Sequence, residues 1–297
     1  MTRSLFGGIC LISVALSGCA GLGGSSDASP TPPPLKVVVG PIILEAPITK
    51  STQIHSFDEA PSPETEPVIL AQLIDEIQTK AQRLLTEHLA RQEKFLVVPF
   101  DETRRILADI APSGRPFTAA QVQALGRQTG ADIVLTSVIH DYGYVRRQYW
   151  MTGWLLHASF WTTVIGLSTA WNPAAIGGYL AFDATTDFPL WWGGAQVFGW
   201  TFRPVRVHLD AVQLTQCDGP IWTEEELMVK VPAKTLAEYS PEEQNRKEIQ
   251  LEANLSRAMA EMAETAGEQL HLRPCTEEGP PARIRTFSIL SLLDFLL

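Results

Sequence analysis

The chain has 297 residues, a formal net charge of −10 and a sequence pI of about 5.1. So acidic a balance excludes a nucleic-acid partner, which would require a basic face. Once an N-terminal leader and a long apolar insert are set aside, about 200 residues remain, enough for one compact domain.

Residues 1–18 read as an export signal, with Arg3 in a short n-region and Leu5 to Leu16 as its apolar core. It closes with Leu16-Ser17-Gly18-Cys19, which resembles the bacterial lipobox. That resemblance implies a lipidated Cys19 as the mature N-terminus. Ala20 stands where some inner-membrane lipoproteins carry Asp, so the expected location is the outer membrane, lipid-anchored and facing the periplasm. The inner membrane is the alternative. Residues 19–34 carry Gly-Leu-Gly-Gly-Ser-Ser and then Pro30-Thr-Pro-Pro-Pro34, a flexible and then extended tether.

The predicted domain spans residues 35–145 and 203–272. Leu35 to Val39 reads as a strand that Ile42 to Leu44 continue. Ala46 to Glu66 is a polar loop. Pro67 to Gln92 places Leu73, Ile77, Leu84 and other apolar residues at helical spacing. Phe95 to Pro99 is a short strand. Asp101 is the expected cap of a helix over Glu102 to Ile110. Thr118 caps a third helix, Ala119 to Thr129, which Gly130 ends. Ile133 to Ile139 is a buried-strand run. Val205 to Leu214 alternates with period two, Cys217-Asp218-Gly219 turns, and Ile221 to Val231 returns. Pro241 to Leu270 reads as a long amphipathic helix. The order predicts an α/β fold, a mixed sheet covered by helices.

The stretch Gly126-Arg-Gln-Thr-Gly-Ala-Asp-Ile-Val-Leu-Thr-Ser-Val-Ile139 resembles a signature of TolB N-terminal-like periplasmic domains. Val205-Arg-Val-His-Leu-Asp-Ala-Val-Gln-Leu214, followed by Cys217-Asp-Gly-Pro-Ile-Trp222, resembles the hairpin that follows it there. The group includes the lipoproteins CsgG and LpoB. The resemblance covers most of Lys36 to Val231 apart from the insert. It implies the TolB N-terminal-like fold and envelope partners. The chain departs from the pattern at its Cys-Asp-Gly-Pro turn and at the insert.

The insert, residues 146–202, has no Asp, Glu, Lys or Arg from Tyr149 to Phe182. Seven of the eight tryptophans lie in it: Trp150, Trp154, Trp161, Trp171, Trp191, Trp192 and Trp200. Arg146, Arg147, Arg203 and Arg206 flank it. Trp150 to Ala170, about 20 residues, matches a hydrocarbon core about 30 Å thick. Asn172-Pro173 breaks the run. Ala174 to Phe182 and Leu190 to Phe202 are expected as shorter helical pieces around an acidic turn at Asp183 and Asp187. Their shortness favours a shallow or re-entrant helical hairpin over a double span. A buried hairpin or an oligomer interface is the alternative, given small residues such as Gly166, Gly177 and Gly178.

Cys217 and Cys275 are a candidate disulfide in an oxidising compartment, with two unpaired thiols as the alternative. No cofactor motif occurs, and two cysteines do not make a structural zinc site, so neither metal nor cofactor is expected. His140 beside Asp141, and His208 with Asp210 on one strand, are the nearest approach to acid–base chemistry. Solvated strand polar residues explain them as simply, and no enzyme is expected. His157 is the ionisable residue of the apolar insert. Residues 273–297 form an apolar tail. The expected function is a non-catalytic binding or assembly module of an envelope complex. Its partners are membrane lipid, through Cys19 and the insert, and an envelope protein or further copies of itself. The alternative is a subunit of an oligomeric CsgG-like export channel.

Overall fold

A computed structural model describes residues 33–110, 117–143, 147–193, 202–214, 219–231 and 233–272. Cys19, Cys217, Cys275, Trp200, the leader and the tail lie outside the described residues.

The domain is α/β. Five strands make one mixed sheet in the order β2-β1-β3-β4-β5. Strands β1 (Leu35–Leu44), β2 (Phe95–Val97) and β3 (Ile133–Tyr142) run parallel, while β4 (Phe202–Gln213) and β5 (Trp222–Lys230) complete an antiparallel meander from β3. Helix α1 (Glu66–Ala90) follows β1. Helices α2 (Phe100–Ile110) and α3 (Ala119–Thr129) lie between β2 and β3. Helices α4 (Arg147–Ser168) and α5 (Pro173–Gly193) fill the insert. The chain ends its described part with α6 (Ala233–Leu236) and α7 (Lys247–Gln269).

Alternation along the strands divides the core into two layers. Val37, Val39, Ile133, Leu135, Val207 and Leu209 face α1 and α7, meeting Leu85, Leu255 and Met259. Val38 and Val134 face the other way, onto Leu107 of α2 and Val122 and Leu125 of α3. Helices α1, α2, α3 and α7 are thus each amphipathic against one face of the sheet.

Local rules explain the element ends. The Thr118 hydroxyl accepts from Gln121 N, and the Gln121 side chain accepts from Thr118 N, a reciprocal cap. Gly130 ends α3 at φ 61°, a left-handed position where a side chain would be strained. In β1 the pairing with β3 slips between Val39 and Ile42. Gly40 sits there, and a Cβ on it would lie 3.0 Å from the Leu135 carbonyl. The Val39 carbonyl is satisfied by Gln82 Nε2 of α1 at 2.9 Å.

Three expectations are corrected. Asp101 is no cap, because α2 already begins at Phe100 and Asp101 lies in its first turn, where a carboxylate suits the helix dipole. The long C-terminal helix starts at Lys247 rather than Pro241. A separate 3-10 turn, Glu243–Asn245, precedes it, and Arg246 between them is extended. Among the described residues of the apolar insert there is no acidic turn: α5 runs unbroken through Asp183 and Asp187 to Gly193, and Phe202 already belongs to β4.

Candidate functional site: the inserted hairpin and the open sheet face

The hairpin leaves the sheet after β3 and returns at β4. Tyr142 and Val205 are paired across these strands, and Gly143 N donates to the Pro204 carbonyl at 2.8 Å. Helix α4 stops at a turn in which Ala170 and Trp171 are left-handed, with φ 52° and 59°. The Trp171 ring lies over Gly166, where a Cβ would come within 2.6 Å of it. The Asn172 side chain then accepts from Ala174 N at 2.9 Å and Pro173 opens α5. Asn before Pro is a helix-start signature, which is why the run breaks there.

Polar groups occupy the inside of this hairpin. Asp183 is fully buried and His157 is 7% exposed. Trp154 Nε1 donates to Asp183 Oδ2 at 2.6 Å, the Tyr179 hydroxyl donates to Oδ1 at 3.2 Å, and His157 Nε2 stands 3.7 Å from Oδ1. Trp154 and His157 are three apart on α4, and Tyr179 and Asp183 four apart on α5, so each pair shares a helix face.

The outside is apolar. Ten of the thirteen large apolar side chains left exposed among the described residues belong to the hairpin. Leu167 is 70% exposed, Phe182 62% and Leu155 52%. Of the predicted tryptophans, Trp154 is half-buried in the seam, while Trp161 and Trp171 are exposed. Trp150 lies on α4, and Trp191 and Trp192 on α5. Among the described residues no helix is long and apolar enough to cross a membrane, so the match of Trp150 to Ala170 to a full hydrocarbon core is set aside.

A second polar cluster lies on the sheet face that α2 and α3 leave open at the far ends of β3, β4 and β5. Arg206, His208 and Asp210 project from alternate positions of β4. Arg206 donates from Nε to Asp141 Oδ2 at 2.6 Å and from a terminal nitrogen to Glu225 Oε1 at 2.8 Å. His208 Nε2 and Asp210 Oδ1 are 3.1 Å apart, and the Thr223 hydroxyl donates to the same oxygen at 2.8 Å. His140 stacks near His208 with ring centroids 5.9 Å apart, and its Nδ1 is 3.4 Å from Glu45 Oε2. The hydrogen bond that His208 donates to Asp210 holds the His208 pKa above its ordinary value, against the effect of burial. Burial and then the Arg206 charge push His140 down. Burial would raise Asp210, but the hydrogen bonds from His208 and Thr223 outweigh it and leave the carboxyl below its usual range. The two histidines are 68 positions apart, so only the strand register shows that they meet. Among the described residues no group of three or more His, Cys, Asp or Glu side chains is arranged to hold a metal.

No protein-family model matches the chain. No curated protein matches it in sequence. Among solved structures it is similar to the C-terminal domain of LpoB from Salmonella enterica, at 9% identity and a TM-score of 0.26, over 65% of this chain and 82% of that one. It is similar to lipoprotein GNA1162 from Neisseria meningitidis, at 11% identity and a TM-score of 0.30, over 66% and 83%. It is also similar to the hypothetical protein CT253 from Chlamydia trachomatis, at 10% identity and a TM-score of 0.35, over 79% and 96%.

Proposed function

We propose that this chain is a lipid-anchored, non-catalytic envelope protein, a binding and assembly module whose α4–α5 hairpin dips into the apolar layer of the bilayer. The observation that supports it is the inverted hairpin. In water, a helical pair buries its Leu and Phe side chains and leaves Asp and His wet. Here Asp183 and His157 are inside and Leu155, Phe160, Leu167 and Phe182 are outside. That arrangement suits an apolar surrounding, where ionisable groups turn toward a helix partner. The lipobox-like Leu16 to Cys19 and the tether over 19–34 supply the second anchor in this reading. Two weak attachments on one chain reinforce each other through high local concentration and fix the domain's orientation. The open sheet face and the helices α2 and α3 are then presented to envelope partners.

The test removes the lipid. Residues 1–19 are replaced by a non-lipoprotein export signal and the membranes are washed at alkaline pH. Retention in the membrane supports the reading. Release as a soluble monomer overturns it.

A second reading makes the hairpin an interface between copies in an export channel. Gly177 and Gly178 favour it, because nothing lies within 4 Å of where their Cβ atoms would be, and a second helix could approach closely there. Mass in detergent separates the readings: a channel gives one large, uniform particle.

A further inference from the structure

The cluster on the open sheet face is not used by the hairpin, and its two histidines share one geometric feature. Each has one ring nitrogen turned to a carboxylate: His140 Nδ1 to Glu45 at 3.4 Å, and His208 Nε2 to Asp210 at 3.1 Å. The hydrogen bond to Asp210 puts the proton of a neutral His208 on Nε2 and leaves its lone pair on Nδ1, while His140 Nδ1 faces Glu45 at ion-pair distance. Ligand histidines in metal sites are commonly held this way, with a carboxylate on the far nitrogen setting tautomer and ring direction. The rings themselves are 5.9 Å apart between centroids. Two imidazoles that share one ion at a metal–nitrogen distance of about 2.1 Å place their centroids roughly 5 to 6.5 Å apart.

We propose that His140 and His208 form a two-histidine site for a divalent transition metal that prefers imidazole, such as Zn²⁺, Cu²⁺ or Ni²⁺, with Glu45 and Asp210 as positioning residues. Local charge favours a dication. Among the described residues, the carboxylates of Glu45, Asp141, Asp210 and Glu225 gather around the Arg206 guanidinium, which donates to Asp141 and Glu225. Among the described residues, Val138 lies opposite His208 and Thr136 and Thr223 lie on either side of Asp210. Both side chains keep partial access to solvent, 26% for His140 and 28% for His208, so water completes the coordination shell. With two protein ligands, the site is of the exchangeable kind, selective for imidazole-binding metals over Mg²⁺ and Ca²⁺. It joins β3 to β4 directly below the point where the hairpin leaves them, so occupancy cross-links the two strands that carry the insert.

The test uses the full chain in detergent, stripped with EDTA. Zn²⁺ is titrated by calorimetry, and Cu²⁺ is followed by electron paramagnetic resonance for nitrogen couplings. The expected result is one equivalent bound at micromolar affinity, with two coordinating nitrogens. His140→Ala and His208→Ala each weaken binding at least tenfold, roughly the scale of losing a ligand or its support. His55→Ala, far from the face, leaves it unchanged. Asp210→Asn guards against variants that fold poorly: it keeps the shape, and circular dichroism should match the wild type while affinity falls several-fold. The proposal is overturned if the wild type shows no saturable binding at millimolar metal. It is equally overturned if binding survives loss of both histidines, as thiol ligation by Cys217 and Cys275 would produce.

Discussion

Trp154 on α4 gives its indole N–H to the carboxylate of Asp183 on α5, 29 positions away and fully buried. This bond joins the two helices through polar groups rather than through an apolar seam. Asp183→Ala removes the acceptor from both Trp154 and Tyr179. Both donors are half-buried, so the loss should lie near the lower end of the range of about 1–3 kcal/mol for a lost buried hydrogen bond. The variant should show a shifted tryptophan emission and faster proteolysis within residues 147–193, whereas Asp183→Asn, which keeps an acceptor oxygen, should lie between it and the wild type.

The insert enters and leaves at neighbouring backbone positions, Tyr142 and Val205. Replacing residues 144–202 by Asn-Gly supplies a turn suited to adjacent antiparallel strands. The shortened chain should fold, keep its far-UV dichroism per domain residue, and lose membrane retention when the lipid is also absent. An unfolded product would mean that the hairpin stabilises the sheet.

Arg206 is 11% exposed and Asp141 4% exposed at the side chain. Arg206→Ala removes a guanidinium that donates to the buried Asp141 carboxylate, a loss of up to about 3–5 kcal/mol in comparable pairs. A fall in the urea midpoint of that size is expected, together with a smaller loss for Glu225→Gln, whose carboxylate is about half exposed.

Thr118→Ala deletes the acceptor for Gln121 N and should cost about 1 kcal/mol. Thermal unfolding followed by circular dichroism would register it as a drop of a few degrees.

Much of the domain was legible in sequence because its cues are local. Thr118 with Gln121 and Gly130 mark both ends of α3 within thirteen residues, and the alternation of Val205, Val207, Leu209 and Ala211 defines the buried face of β4. Asp183 was misread because a charge inside an apolar run resembles a turn. The spacing of Tyr179 and Asp183 was the available clue, but its partner Trp154 belongs to another helix. His208 and Asp210 were visible as strand neighbours. Their meeting with His140 depends on a pairing register and a bulge between Ile139 and Asp141, which no short window contains.

The adjacency of Tyr142 and Val205 also sets how the domain answers a pull. Any force on the hairpin arrives at the two neighbouring ends of β3 and β4. The strands are then peeled apart like a zip, one rung of hydrogen bonds at a time, instead of being sheared along their length. The first resistance comes from α7, whose Asn254 Nδ2 donates to the Arg203 carbonyl at 2.6 Å and whose Gln250 accepts from Arg203 Nε at 3.0 Å. Those two side chains act as a clip at the mouth of the zip.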